Sequence, residues 1–251
     1  MQTVIDMVRL AAARTPDAIA IDDDAADRRL TYRDLISETE TVAAGLSARG
    51  IEPGDLVATV ASNRFEHCIA LLALTRLGAV PALVNPRLKG QEVAELLKTG
   101  RMRAAVSLAD PELVAALRSA LPQGAPVVTF GEGEGTIDYG SCRGDAALLP
   151  PYRRPDPEDT DFVFYTSGTT GLPKGVRMPA RVADARVLFT STQGGLTYGR
   201  HNRALGVMPL FHVVGFYSVF LATLAFNGTY HVCSVFEPTR ALDAIENRKM
   251  T

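Results

Sequence analysis

Phe162-Val163-Phe164-Tyr165 runs into Thr166-Ser167-Gly168-Thr169-Thr170-Gly171-Leu172-Pro173-Lys174, and Gly175-Val176-Arg177-Met178 leaves it. The flanks are short runs of β-formers, so they read as two strands joined by the segment between them. No core requires that segment. It offers the hydroxyls of Thr166, Ser167, Thr169 and Thr170, the glycines 168 and 171 with Gly175 just beyond, and the lysine Lys174. Glycine lets backbone N–H groups turn toward a ligand and come close to it. Hydroxyls add adjustable donors, and lysine adds a point charge. A plain β-hairpin tip takes roughly two to five residues of Asn-Gly type; this loop is longer and richer in donors, and it suits a polyphosphate. The common P-loop does not fit, because it places Gly directly before Lys and Ser or Thr directly after. Here Pro173 precedes Lys174 and Gly175 follows it.

Outward from this loop, the chain alternates strand and helix. On the amino-terminal side, Leu56–Val60 and Val80–Val84 are continuous apolar runs of the kind buried on both faces in a parallel sheet. A helix around Phe65, Ile69 and Leu72 lies between them and ends near Gly78. Helices over Gln91–Lys98 and Pro111–Ser119 and strands at Ala104–Val106 and Val127–Phe130 continue the pattern. Earlier still, Val4, Val8 and Ala11 repeat at helical spacing, and a strand follows at Ile19–Ile21. Thr31 with Asp34 then forms a capping box for a helix lined by Leu35, Thr39, Val42 and Leu46 and closed by Gly50. Residues 131–159 are rich in Gly, Pro and charge and read as a surface excursion. Beyond the loop come a helix at Val182–Leu188, strands at Ala204–Met208 and Thr229–Val235, an apolar helix at Val213–Phe226 and a last helix at Thr239–Glu246. The expected fold is α/β: a doubly wound, mostly parallel sheet with flanking helices.

Composition narrows the function. With 47% apolar and 22% charged residues the chain of 251 can build a substantial core. A net charge of −2 with no basic stripe offers no case for nucleic acid. Cys68, Cys142 and Cys233 are widely spaced without metal-type pairing and read as reduced cytosolic thiols, so a cytoplasmic protein is expected. His67, His201, His212 and His231 show no zinc-ligand spacing, and no protein metal site is expected. The N-terminus does not have the pattern of a signal peptide, and no apolar run reaches membrane-spanning length.

Met208-Pro209-Leu210-Phe211-His212-Val213-Val214-Gly215-Phe216 is the second informative stretch. A lone histidine opening an apolar helix commonly caps or packs. A strand-turn-helix at the carboxyl edge of a sheet is, however, where α/β proteins hold ligands.

Residues 165–176 resemble the signature of the adenylate-forming superfamily of acyl-CoA synthetases, luciferases and peptide-synthetase adenylation domains. Closer similarity, to the chlorobenzoate/benzoate-type CoA ligases, is carried by residues 77–89, by Arg186–Gln193 and by Gly199-Arg200-His201-Asn202. It runs from Met1 to Thr251, and it implies an incomplete second α/β subdomain: an N-terminal segment 1–50 packing with the second subdomain, a first subdomain 51–195 carrying the loop 165–176, and the start of the second at 196–251. The resemblance implies an AMP-forming acid–CoA ligase using ATP, Mg²⁺ and CoA, with an aromatic, benzoate-like carboxylic acid as substrate. By the same resemblance Thr166, Ser167, Gly168, Thr169, Thr170, Gly171 and Lys174 would hold the ATP phosphates, and Lys174 and His212 would be catalytic. Phe189, His212, Val213 and Val214 would line the acyl pocket, and Arg87 would meet CoA. For Phe189 the plain alternative is a core aromatic; for Arg87, a solvated loop cation.

Motifs that the family carries further along, including its adenine- and ribose-binding residues and a catalytic lysine, are absent before Thr251. The chain therefore reads as an N-terminal piece, inactive alone and prone to homo-oligomerise through apolar surface of the incomplete subdomain. Alternatives are a ligase of fatty or other acyl groups, and a non-catalytic nucleotide-binding fragment.

Overall fold

Helix caps and apolar periodicity account for most of the local structure. In the computed structural model, which describes residues 1–23, 25–166, 173–198 and 202–251, the chain begins with α1 (Val4–Arg14), β1 (Ile19–Asp23), β2 (Arg28–Thr31) and α2 (Tyr32–Ser47). Thr31 and Asp34 form the expected reciprocal cap, each backbone N–H donating to the other's side chain at 3.2 and 3.1 Å. Gly50, at φ +89°, closes the helix as expected. There follow β3 (Leu56–Val60), α3 (Phe65–Leu77), β4 (Val80–Val84), α4 (Gly90–Gly100), β5 (Ala104–Leu108), α5 (Pro111–Ala120) and β6 (Val127–Phe130). Next come β7 (Ile137–Asp138), β8 (Thr160–Thr166), β9 (Lys174–Pro179), α6 (Arg181–Gly194) and β10 (Arg203–Gly206). A π-helix (Val214–Leu221), α7 (Ala222–Ala225), β11 (Thr229–Val232) and α8 (Pro238–Arg248) complete the chain.

The fold is α/β with mostly parallel sheets, and it divides into two units. One comprises Thr39–Ala61 and Ile69–Ala180. Its sheet has the order β7-β6-β5-β3-β4-β8-β9, parallel throughout except for the antiparallel hairpin β8/β9. Alternate residues of the parallel strands (Ala58, Val60, Ala82, Val84, Ala105, Val127, Val163) pack against Val93, Leu96 and Leu97 of α4 and Leu113 and Leu117 of α5. Each large buried side chain there contributes about 1.5–3 kcal/mol relative to exposure.

The other unit comprises Met1–Glu38, Ser62–Cys68 and Arg181–Thr251. Its four-stranded sheet has the order β10-β11-β1-β2, with β1/β2 antiparallel and the rest parallel. The Phe220 ring lies 5.0 Å from Tyr230 and 5.9 Å from Phe216. The Tyr32 hydroxyl sits 3.0 and 2.7 Å from the Leu224 and Gly228 carbonyl oxygens.

The chain first passes from one unit to the other within α2, after Glu38, and α6 belongs with the later strands. Several expectations need correction. The excursion 131–159 is not purely surface, because β7 pairs with β6 and Tyr139 and Cys142 are buried. The helix expected over Val213–Phe226 is wound as π-helix for most of its length, with the Ala222 N–H reaching back to Tyr217 O. Its sequence is apolar on all sides, which leaves no periodicity from which to read the winding. The strand expected over Thr229–Val235 ends at Val232.

Candidate functional site

The donor-rich loop is the tip of a hairpin. Thr166, at the end of β8, pairs with Lys174, at the start of β9, and the Thr166 Oγ1 donates to the Lys174 carbonyl oxygen at 3.4 Å. Both residues are exposed. Gly175 stands across from Tyr165, and a Cβ there would press to 3.2 Å on both the Tyr165 ring and Val163. A side chain directly after Lys174 would therefore push the tip away from its strand. Burial raises the pKa of the Tyr165 hydroxyl. The expected phosphate ligands Ser167, Gly168, Thr169, Thr170 and Gly171 lie outside the described residues, as do Leu172 and the stretch Gly199-Arg200-His201.

Topology brings a second expected residue to the same sheet edge. Arg87 follows β4, which lies beside β8, so both are at carboxyl ends of neighbouring parallel strands. The chain leaving β4 crosses back over β3, whereas the chain leaving β8 turns outward to β9. Divergent connections of this kind open the crevice in which α/β sheets take ligands. Arg87 is exposed, and its N–H donates to Asn85 Oδ1 at 3.0 Å, which fixes the turn.

In the other unit, His212 lies on the turn between β10 and the π-helix. Its backbone N–H donates to Pro209 O at 3.0 Å, and its own carbonyl accepts from Phe216 N–H at 3.0 Å. The Val214 N–H donates to His212 Nδ1 at 3.3 Å. With Nδ1 accepting, the neutral ring carries its proton on Nε2, and the exposed imidazole has that N–H to offer. Val213 is half-buried and Val214 exposed. Phe189 is 61% exposed on α6, which removes the reading of it as a core aromatic. α6 packs against the π-helix that Val214 begins.

Two residues that hold this turn went unread in the sequence. Asn63, 5% exposed, donates from Nδ2 to Gly206 O at 2.7 Å and to Met208 O at 3.0 Å, while its Oδ1 accepts from Leu210 N–H at 2.8 Å. Gly215 lets the helix approach the turn: any Cβ there would overlap Pro209 O and come within 2.8 Å of Met208 O. Gly215 lay inside the motif and could have been singled out as a close-approach glycine. Asn63 carried no local signal.

Among the described residues, no group of three or more His, Cys, Asp or Glu could hold a metal ion, and no helix is long and apolar enough to cross a membrane.

Comparison with known proteins gives a consistent picture. The family profile described as AMP-binding enzyme matches residues 8–251. The chain is 43% identical over 251 residues to a 4-chlorobenzoate–CoA ligase of Arthrobacter sp, covering 100% of the chain and 47% of that protein. It is 42% identical over 254 residues to the 4-chlorobenzoate–CoA ligase of Pseudomonas sp. (strain CBS-3), with the same coverage of 100% and 47%. The apo structure of Mycobacterium smegmatis MbtA superposes with a TM-score of 0.91 at 27% identity, covering 100% of the chain and 47% of that structure. The chain thus spans about half the length of the relatives it matches.

Proposed function

The chain belongs to the AMP-binding enzyme family, and from that premise we propose that it serves an ATP-dependent acid–CoA ligase acting on an aromatic, benzoate-like acid. The observation that carries the reading is the hairpin β8/β9, whose Thr166–Lys174 pair closes a loop of hydroxyls and glycines at the carboxyl end of a parallel sheet. The similarity of the whole chain to 4-chlorobenzoate–CoA ligases supports the aromatic acid.

In this reading a carboxylate oxygen attacks the α-phosphorus of ATP, forming the acyl adenylate and displacing pyrophosphate. The sulfur of CoA then attacks the acyl carbon and AMP leaves. The first step brings two anions together. Unit charges about 4 Å apart repel by roughly 4 kcal/mol at an effective dielectric near 20, which is about three powers of ten in rate. Hydrogen bonds to charged oxygens contribute roughly 1.5–3 kcal/mol each. Three or four donors from Thr166, Ser167, Gly168, Thr169, Thr170 and Gly171, with Lys174, offset that repulsion by drawing charge toward the departing pyrophosphate. His212, donating from Nε2, orients the carboxylate, and Phe189, Val213 and Val214 supply apolar surface for the ring. Arg87 provides a cation for a CoA phosphate. Mg²⁺ would neutralise phosphate charge, but the described residues offer it no ligand cluster, so no step is assigned to it.

The reading is tested by ATP–pyrophosphate exchange on the full-length gene product with benzoate, 4-chlorobenzoate and octanoate. Exchange driven by the aromatic acids is expected. Exchange with octanoate alone would transfer the assignment to alkyl acids, and nucleotide binding indifferent to Lys174→Ala would remove the loop from it.

A further inference from the structure

At the amino-terminal ends of β3, β4 and β8, away from the hairpin tip, lies a cavity of about 690 Å³ whose walls include Pro53, Gly78, Pro151, Tyr152, Arg153 and Asp161. That volume is within the range of roughly 300–1,000 Å³ that receives small organic ligands. Asp161 is its unusual feature. Thr160 pairs with Pro179 and Phe162 with Met178 on β9, so Asp161 is the extra residue of a β-bulge, a device that re-aims a side chain. The residue is 7% exposed, and its Oδ2 meets no hydrogen-bond donor. Burial is the sole cause that raises its pKa, to about 7; no neighbouring charge contributes.

A buried carboxyl without a partner costs stability, and native proteins retain few of them. The other charged groups on the wall, Arg153 and Asp159, offset one another, which leaves Asp161 as the net charge of the cavity. Tyr152 is the remaining titratable wall residue. Arg76, whose guanidinium lies 6.0 Å from the Tyr152 ring, is engaged by Pro150 O at 3.3 Å and Glu40 at 3.5 Å. A carboxylate that can only accept, set among prolines and an aromatic ring, is complementary to a cation with N–H donors and an apolar body.

We propose that this cavity binds a small organic ammonium ion, with its N–H groups on the Asp161 carboxylate and its apolar part against the prolines and Tyr152. The site lies at the opposite end of β8 from the phosphate loop and is independent of the proposed ligase reaction.

Benzylammonium titrated calorimetrically into the full chain at pH 8 is the probe, with benzyl alcohol and benzoate as neutral and anionic controls. Saturable binding of benzylammonium alone is expected, with affinity about tenfold lower in Asp161→Asn, equal to ~1.4 kcal/mol, and lower also in Tyr152→Ala. On the unaltered chain the affinity should fall as the pH drops below 7 and the carboxyl takes up its proton, a readout that does not depend on either variant folding. Absence of binding, equal affinity in Asp161→Asn, or preference for benzoate would overturn the proposal.

Discussion

Asn63 fastens the turn at Leu210 from 147 residues away, accepting the Leu210 N–H on Oδ1 at 2.8 Å. Its Nδ2 simultaneously donates to the Gly206 and Met208 carbonyl oxygens, so one buried carboxamide satisfies three backbone groups on the way into His212. Asn63→Leu should strand those groups at about 1–3 kcal/mol each, lowering the denaturant midpoint. Asn63→Asp keeps the acceptor but sets a second oxygen against the Gly206 and Met208 carbonyls, and should lose at least as much. Equal stability of the leucine variant and the unaltered chain in urea would contradict this account.

Gly215→Ala meets the same turn from the helix side. The added methyl group overlaps Pro209 O, and the contact is with backbone that cannot step aside. We expect a loss of about 1–3 kcal/mol, typical of overpacking, together with a raised acid KM as His212 shifts. Gly194→Ala at the end of α6 is the control, since nothing lies within 4 Å of the new atom. It should be neutral or stabilising by up to about 1 kcal/mol. Thermal unfolding of the two variants side by side decides the matter.

Lys174 and His212 should separate in steady-state kinetics of the full-length gene product. Lys174→Ala is expected to raise the KM for ATP about tenfold or more, from the loss of roughly 1.5–3 kcal/mol of charged hydrogen bonding. His212→Ala should instead raise the KM for the acid. An unchanged acid KM in the histidine variant would remove His212 from the acyl site.

Two buried groups make stability depend on pH in opposite senses. Burial lowers the pKa of His67 to about 4, against the opposing hydrogen bond to Ser62 O and with Arg64 assisting. Above its ordinary value near 6.5 the ring is neutral folded or unfolded. As pH falls from 6.5 to 4, the unfolded chain takes up a proton that the fold refuses, and stability declines by on the order of 3 kcal/mol. Asp161, raised to about 7 by burial, does the reverse. Between about pH 4 and 7 the unfolded chain ionises while the fold keeps its proton, so stability falls as pH rises, by an amount on the order of 4 kcal/mol, and is flat above. Asp161→Asn should therefore be more stable than the unaltered chain at pH 8 and similar near pH 4. His67→Gln should flatten the acid limb. Urea midpoints from pH 4 to 8 that run parallel in all three proteins would refute both assignments.

We further propose that the chain self-associates through the surface around α8. Val235, Phe236, Leu242 and Ile245 are 73, 61, 67 and 52% exposed within one short stretch, and adjacent exposed apolar side chains of this size drive association. Sedimentation velocity should show concentration-dependent association that Leu242→Glu with Ile245→Glu abolishes. A monodisperse monomer before mutation would end the proposal.

Local pattern carried much of the architecture. The parallel strands Leu56–Val60 and Val80–Val84 announce themselves as apolar runs, and Thr31 with Asp34 announces the start of α2. The strands flanking the loop between Thr166 and Lys174 were equally legible, because β-propensity there is a property of neighbouring residues. The π-helical winding of Val214–Leu221 was not, since a segment apolar on every side gives no period to read.

What the amino-acid order determined alone is therefore most of the helices and parallel strands, the two strands flanking the loop between Thr166 and Lys174, and the turn bearing His212, each specified within a few residues of itself. Only tertiary structure decided that Asn63 would pin that turn and that a bulge would leave the Asp161 carboxyl in a cavity without a partner. Those outcomes depend on which segments meet when the chain returns on itself, and short-range periodicity contains no record of that meeting.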